Sequence, residues 1–232
     1  MATRPRSGQT PSRRSVYVAI AIAAIAAGAL VAVALLARSG DDESSGPPTP
    51  VVELDGIPQD GAILGDPEAA VTLIEYADLQ CPACRQYAES ILPILVDDYV
   101  RPGRVKAEFR GLRFLGPDSD KALRFVIAAG LQDRLWHLQE ALYRNQGGEN
   151  SGWVTDDLVR ELAAEISGLD VEKLFADKDS SPVTTLIEED EAQAQADEVP
   201  GTPTVLIQIG DEEPYVIDPS ALAPALDDAL TG

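Results

Sequence analysis

The feature that most constrains the fold is a pair of cysteines, Cys81 and Cys84, set at the seam between two differently patterned runs. Before them, Val71, Leu73, Ile74 and Tyr76 form a short apolar, β-branched stretch of the kind buried on both faces in a sheet, and Asp78 to Gln80 are turn residues. After them, Cys84, Tyr87, Ala88, Ile91, Leu92, Leu95 and Tyr99 recur at helical spacing, which predicts a helix over Pro82 to Val100 with one apolar face. Pro82 falls at the first helical position, where the missing N–H has no intrahelical partner to lose. A strand therefore delivers a dithiol to a helix N-terminus, with Cys81 at the N-cap and Cys84 on the buried face. Free amides and the positive end of the helix dipole lower the pKa of a thiol at that position, so Cys81 is the expected attacking sulfur.

Three uses of such a pair are open. A zinc site needs about four ligands, and the chain offers two Cys and a single His, His137, so carboxylates or a second chain would have to complete it. A structural disulfide across so short a loop constrains the unfolded chain very little. Redox chemistry asks for nothing beyond the two sulfurs and their setting.

Two separated stretches resemble the DsbA-like, thioredoxin-fold disulfide oxidoreductases: ILGDPEAAVTLIEYADLQCPACRQY, from Ile63 to Tyr87, is similar to the approach to their active site, and VPGTPTVLI, from Val199 to Ile207, to their cis-proline loop. The resemblance runs from about Ile63 to the C-terminus, the middle matching by helical pattern more than by identity. It implies a redox-active Cys81 and Cys84 pair and no metal or organic cofactor. It also implies that Thr202 faces the dithiol and pairs its backbone with a substrate peptide, that Pro203 keeps that edge open, and that Glu75 is the buried acid beneath the disulfide. One departure stands out. Strongly oxidising members often hold a histidine between the cysteines, where this chain has Pro82 and Ala83. Arg85, close by in sequence, reads as a solvated charge.

Charge and hydropathy divide the chain. Residues 1–15 hold Arg4, Arg6, Arg13 and Arg14 and no acid, as in a cytoplasmic tail, and Val16 to Ala37 is an uncharged run. Its 22 residues would span about 33 Å as a helix, matching a bilayer core of about 30 Å. A cleaved signal peptide is the rival reading, but its apolar region is shorter, about 7 to 15 residues. Four arginines before the run against Arg38 after it, followed by Asp41, Asp42 and Glu43, place the N-terminus inside and the rest outside. Residues 38–61, rich in Ser, Gly, Pro and Asp, read as a flexible linker to a domain over 62–232. All 39 acidic residues and 13 of the 18 Lys and Arg lie beyond Gly40, an excess of 26 negative charges that argues against nucleic acid and anionic lipid as partners of the domain.

Within that domain, Val105 to Leu112 alternates as a half-exposed strand, and about 117–198 reads as a helical insertion: Ser119 to Gly130, Gln132 to Asn145, Thr155 to Ile166, Val171 to Lys178 and Pro182 to Glu198, with Thr155 and Ser181 as caps. His137 lies off the stripe of Leu131, Leu135, Leu138 and Leu142 and reads as exposed; Trp136 and Tyr143 read as core or domain-interface residues, and Glu188 to Glu191 as a solvated face. Thr204 to Ile209 and Tyr215 to Ile217 form a predicted hairpin, and Ser220 to Leu230 a closing amphipathic helix. The expected fold class is α/β, a thioredoxin fold with a helical insertion behind one N-terminal transmembrane helix, its sheet of mixed direction with helices on both faces.

The function this implies is an extracytoplasmic, membrane-anchored thiol:disulfide oxidoreductase that donates a disulfide to reduced secreted or cell-envelope proteins and is reoxidised by a membrane partner of the DsbB or vitamin K epoxide reductase type. Two alternatives stand beside it: a membrane-tethered reductase or isomerase, and a thioredoxin-like binding module whose disulfide is only structural. The short stretch after the anchor leaves no room for the added dimerisation domain of known isomerases of this fold.

Overall fold

The structure, a computed structural model, describes residues 53–231, so the expected tail, anchor and most of the linker lie outside the described residues. Among the described residues no helix is long and apolar enough to cross a membrane. The strands are β1 (Gln59–Asp60), β2 (Ile63–Leu64), β3 (Val71–Ala77), β4 (Val105–Gly111), β5 (Thr204–Ile209) and β6 (Tyr215–Ile217), in one sheet of order β1-β2-β4-β3-β5-β6. β3 runs parallel to β4 and antiparallel to β5, so the sheet is mixed, and all seven residues of β3 are buried, as its apolar run requires.

Alternation along β3 sorts the core. Val71, Leu73 and Ala77 face the main cluster with Val105, Ala107 and Phe109 of β4, while Ile74 and Tyr76 face a smaller cluster with Leu112, Ala194 and Leu206. β4 alternates buried and half-buried as expected. Gly111 at its end has no room for a side chain: a Cβ would sit 2.0 Å from Leu123 Cδ1.

The helices are α1 (Pro82–Ser90), α2 (Leu92–Leu95), α3 (Pro117–Gly130), α4 (Leu135–Arg144), α5 (Asp156–Ala164), α6 (Val171–Asp177), α7 (Ser181–Ala196) and α8 (Leu222–Thr231). The helical insertion thus forms over the expected range. The single helix expected from Pro82 to Val100 is broken instead. Pro93 has no N–H and its ring collides with the carbonyl four residues back, so the helix turns at Ile91 and continues as α2 and a π-helical turn over Val96–Val100.

Other expectations need correction. The chain joins the fold before residue 61, because Leu54 and Ile57 are buried in the main cluster and β1 and β2 form an edge hairpin. Thr155 caps α5 by accepting from Leu158 N–H, but the residue at the N-cap of α7 is Ser180, not Ser181, and its hydroxyl makes no cap bond. Leu131 is exposed, beyond the end of α3. Of the acidic run on α7, Asp190 accepts from Gly111 N–H at 2.9 Å and Glu191 pairs with Arg113 at 2.7 Å, so half of that face docks on the end of β4 instead of meeting water. The last helix begins two residues late, after a 3₁₀ turn at Pro219–Ala221.

Candidate active site

β3 ends at Ala77, a turn follows, and Cys81 takes the N-cap of α1 with extended backbone (φ −70°, ψ 119°). Pro82 opens the helix, and Cys84 falls on its inner face with Tyr87 and Ala88. Both cysteines are free thiols. Cys84 is wholly buried, whereas Cys81 is 8 % exposed, more covered than an N-cap position suggests. Part of that cover is the Thr202–Pro203 segment, joined by a cis peptide bond, whose Thr202 carbonyl accepts from Cys81 Sγ at 3.4 Å.

The setting pushes the two sulfurs in opposite directions. The Cys84 thiol donates to Cys81 Sγ and, against partial desolvation, pulls the Cys81 pKa down to about 5 with help from the N–H groups of Cys84 and Ala83 and the Thr202 side chain. The partner thiol, more than the helix end, is thus the largest cause. Burial first, and that same hydrogen bond second, drive Cys84 far above the ordinary thiol range. Thr202 therefore sits beside the dithiol as expected. Glu75 is buried on the β3 face shared with Leu73 and Ala77, and burial pushes its carboxyl up to about 8. Arg85 points away from this chemistry, pairing with Glu89 at 2.7 Å.

Around the turn that carries Cys81 lies a set of contacts that the local sequence does not predict. Asp78, fully buried, accepts from Gln80 N–H (2.8 Å), Ser119 Oγ (2.7 Å) and Leu115 N–H (3.1 Å). Gln80 Nε2 donates to Ser119 Oγ (2.9 Å) and Asn150 Oδ1 (3.1 Å), and its side-chain Oε1 accepts from Asn150 N–H (2.6 Å). Gln146 Nε2 donates to the backbone oxygens of Leu79 and Cys81 at 2.8 and 3.2 Å. The loop after α4 and the start of α3 thereby clamp the turn that carries Cys81. Their one sequence signal was two polar residues, Asp78 and Gln80, in a turn between buried elements.

His137 is half-buried and hydrogen-bonds through Nδ1 to Gln59 Nε2 at 2.9 Å, so the expectation of an exposed histidine fails because the β1–β2 hairpin packs over it. Trp136 and Tyr143 are core residues as expected, each 1 % exposed.

Residues 58–228 match the thioredoxin family model. The chain belongs to the thioredoxin family. Among curated proteins it is 32 % identical over 147 residues to the probable disulfide bond formation protein D of Bacillus cereus, covering 62 % of this chain and 68 % of the relative. It is 28 % identical over 176 residues to disulfide bond formation protein D of Bacillus subtilis, covering 73 % and 74 %. Among solved structures, oxidised BdbD from Bacillus subtilis superposes with a TM-score of 0.64 at 26 % identity, covering 76 % of this chain and 98 % of the other. A thioredoxin-like oxidoreductase from Silicibacter pomeroyi gives 0.58 at 30 % identity, covering 76 % and 93 %. This thioredoxin-family member is a DsbA-like protein thiol:disulfide oxidoreductase.

Proposed function

We propose that the protein is a membrane-anchored, extracytoplasmic disulfide donor that uses Cys81 and Cys84 to oxidise reduced secreted or cell-envelope proteins. The observation that carries this reading is the opposed treatment of the two sulfurs. A stabilised Cys81 thiolate lowers the free energy of the dithiol form, which makes the disulfide form the stronger oxidant.

In the forward reaction a substrate thiolate attacks Cys81 Sγ, the Cys81–Cys84 bond breaks, and Cys84 leaves and takes up a proton. A second substrate thiolate then attacks the substrate sulfur of the mixed disulfide and releases Cys81 as thiolate. The substrate dithiol is oxidised by two electrons and the protein disulfide reduced by two. Glu75 is the candidate proton donor to Cys84, a role that suits a buried carboxyl titrating near 8. Thr202 and Pro203 would hold the substrate strand beside Cys81. The N-terminal apolar run would be the anchor, and the dithiol would be reoxidised by a quinone-linked membrane enzyme of the DsbB or vitamin K epoxide reductase type.

The deciding experiment is the equilibrium redox potential of the soluble domain against glutathione buffers. A value near about −120 mV is expected of a strong disulfide donor, and one near about −270 mV would reverse the reading to a reductase.

Glu75→Gln should slow disulfide transfer by about tenfold to a hundredfold, and an unchanged rate would remove Glu75 from the mechanism. It should also alter stability in a pH-dependent way. The folded state holds the Glu75 proton up to about 8, against 4.5 for an ordinary glutamate, so its stabilising contribution is full below pH 4.5 and lost as pH climbs through 8. Urea midpoints of the oxidised protein, in which Cys81 does not titrate, should show the variant gaining on the parent as pH rises from 5 to 8.

A further inference from the structure

Four polar atoms in one layer of the domain are buried without a protein hydrogen-bond partner: Glu75 Oε1 on β3, the Tyr87 hydroxyl on α1, and both amide atoms of Gln139 on α4. All three residues are at most 3 % exposed. Their elements meet. Glu75 lies on the β3 face that α1 covers, Tyr87 follows Cys84 by one turn on the buried side of α1, and α1 packs on α4. Along α4, Trp136 meets Phe109 edge-on at 6.2 Å, and Phe109 is the register partner of Glu75. Further along, the Tyr143 hydroxyl donates to the Asp78 carbonyl at 3.4 Å. Gln139 sits between these two contacts on the same buried stripe, three residues past Trp136 and four before Tyr143. Both flanking residues border Glu75, Trp136 through Phe109 and Tyr143 through its electrostatic interaction with the carboxyl, and Gln139 lies between them.

Leaving a buried amide, hydroxyl or carboxyl oxygen unsatisfied costs about 1–3 kcal/mol each. Three elements would not send such groups into one layer unless they were satisfied there, and a water with two to four polar partners is the ordinary way. We infer that Glu75, Tyr87 and Gln139 enclose an internal water site beneath Cys84, in which Gln139 and Tyr87 are positioning residues that hold the Glu75 carboxyl for proton exchange. The inference rests on the reading of Glu75 as the proton donor to Cys84. When the disulfide opens, Cys84 takes the proton that Glu75 gives up, and the water returns one from solvent to the carboxylate. The groups facing Glu75 fit a site of this kind. Tyr87 and Tyr143 are the titratable residues coupled to its charge, Cys84 and Asp78 flank them, the register neighbours Phe109 and Val205 are apolar, and α8 sends Leu222 and Leu226 into the same core.

The test uses Gln139→Leu and Tyr87→Phe, with Gln139→Met if the leucine variant does not fold. Single-turnover transfer to a thiol peptide is followed against pH, and the Glu75 carboxyl is followed by its infrared band, assigned by its loss in Glu75→Gln. Removing either donor strips solvation from the ionised carboxyl, so the pH midpoint should move up by about a tenfold change in proton affinity. The infrared band should shift in both variants, and adding Glu75→Gln should erase the pH effect. If both variants keep the parental midpoint and band while only stability changes, the shared site is overturned. If Glu75→Gln leaves the pH profile intact, it is the proton role of Glu75 that fails; the infrared band, which does not depend on turnover, still decides whether the three residues share one site.

Discussion

Followed by thiolate absorbance, the reduced domain should release one thiol proton with a midpoint near pH 5 and hold the second far above the ordinary thiol range of about 8.5. At pH 6 an alkylating reagent should therefore label Cys81 alone. Cys81→Ser should lose that titration together with all disulfide transfer. Comparing Cys84→Ser with Cys84→Ala is more discriminating, because a hydroxyl keeps a donor beside Cys81 and should hold the midpoint low, whereas alanine removes the largest single cause of the low value. In Cys84→Ala the midpoint should climb most of the way back to the free thiol; a midpoint still near 5 would show that the helix end alone sustains the thiolate. The same shift predicts a stability difference between redox states. The Cys81 value is lowered on folding, so its contribution is present above 9, where an ordinary thiol ionises, and lost as pH falls through 5. Only the reduced form has this group. Its advantage over the oxidised form should grow across that interval by on the order of 1–3 kcal/mol, discounted for a sulfur at the surface.

Asp78→Ala should be the most damaging change outside the cysteines, at about 3 kcal/mol or more. Asp78 is fully buried and its two oxygens receive the N–H groups of Gln80 and Leu115 and the Ser119 hydroxyl. Alanine leaves all three donors facing a void that offers no acceptor. Asp78→Asn keeps the volume but turns an amide toward one of those donors, so it should recover only part of the loss. Chemical denaturation measures the cost. Because the same turn sets Cys81, the thiol midpoint should also rise in either variant. A well-folded Asp78→Ala with the parental midpoint would mean that the network braces the helices without shaping the reactive sulfur.

The sequence made the framework legible where the information is local. The apolar run of β3, the alternation of Val105 to Gly111 and the spacing of five helices are patterns within a dozen residues, and they reappear close to their expected bounds. Cys81 and Cys84 were legible for the same reason, and Thr202 and Pro203 through a motif. What was not legible depends on distance. Leu115, Ser119 and Asn150 meet Asp78 and Gln80 across 37 to 70 residues, and no pattern near residue 78 announces them. His137 looked exposed because its cover, Gln59, lies 78 residues upstream in a two-residue strand too short to show a period. Pro93 is a different case: it is a breaker in plain view, but the apolar spacing continues through it and by itself predicts one unbroken helix. Gln139 interrupts the stripe of α4 as a polar residue, and its place between Trp136 and Tyr143 was the available hint that it points inward.

The clamp around the cysteines has a consequence for how the protein is made. Cys81 and Cys84 leave the ribosome well before the chain that clamps the turn around them. Ser119 and Asn150 come tens of residues later, and Thr202, whose carbonyl and side chain touch Cys81, comes 121 residues later. Until those residues are synthesised and docked, the turn that carries Cys81 lacks the distant partners that hold it in place. The setting of the two sulfurs is thus completed only once Thr202 has been made and docked, and an unfinished chain presents its dithiol without that cover.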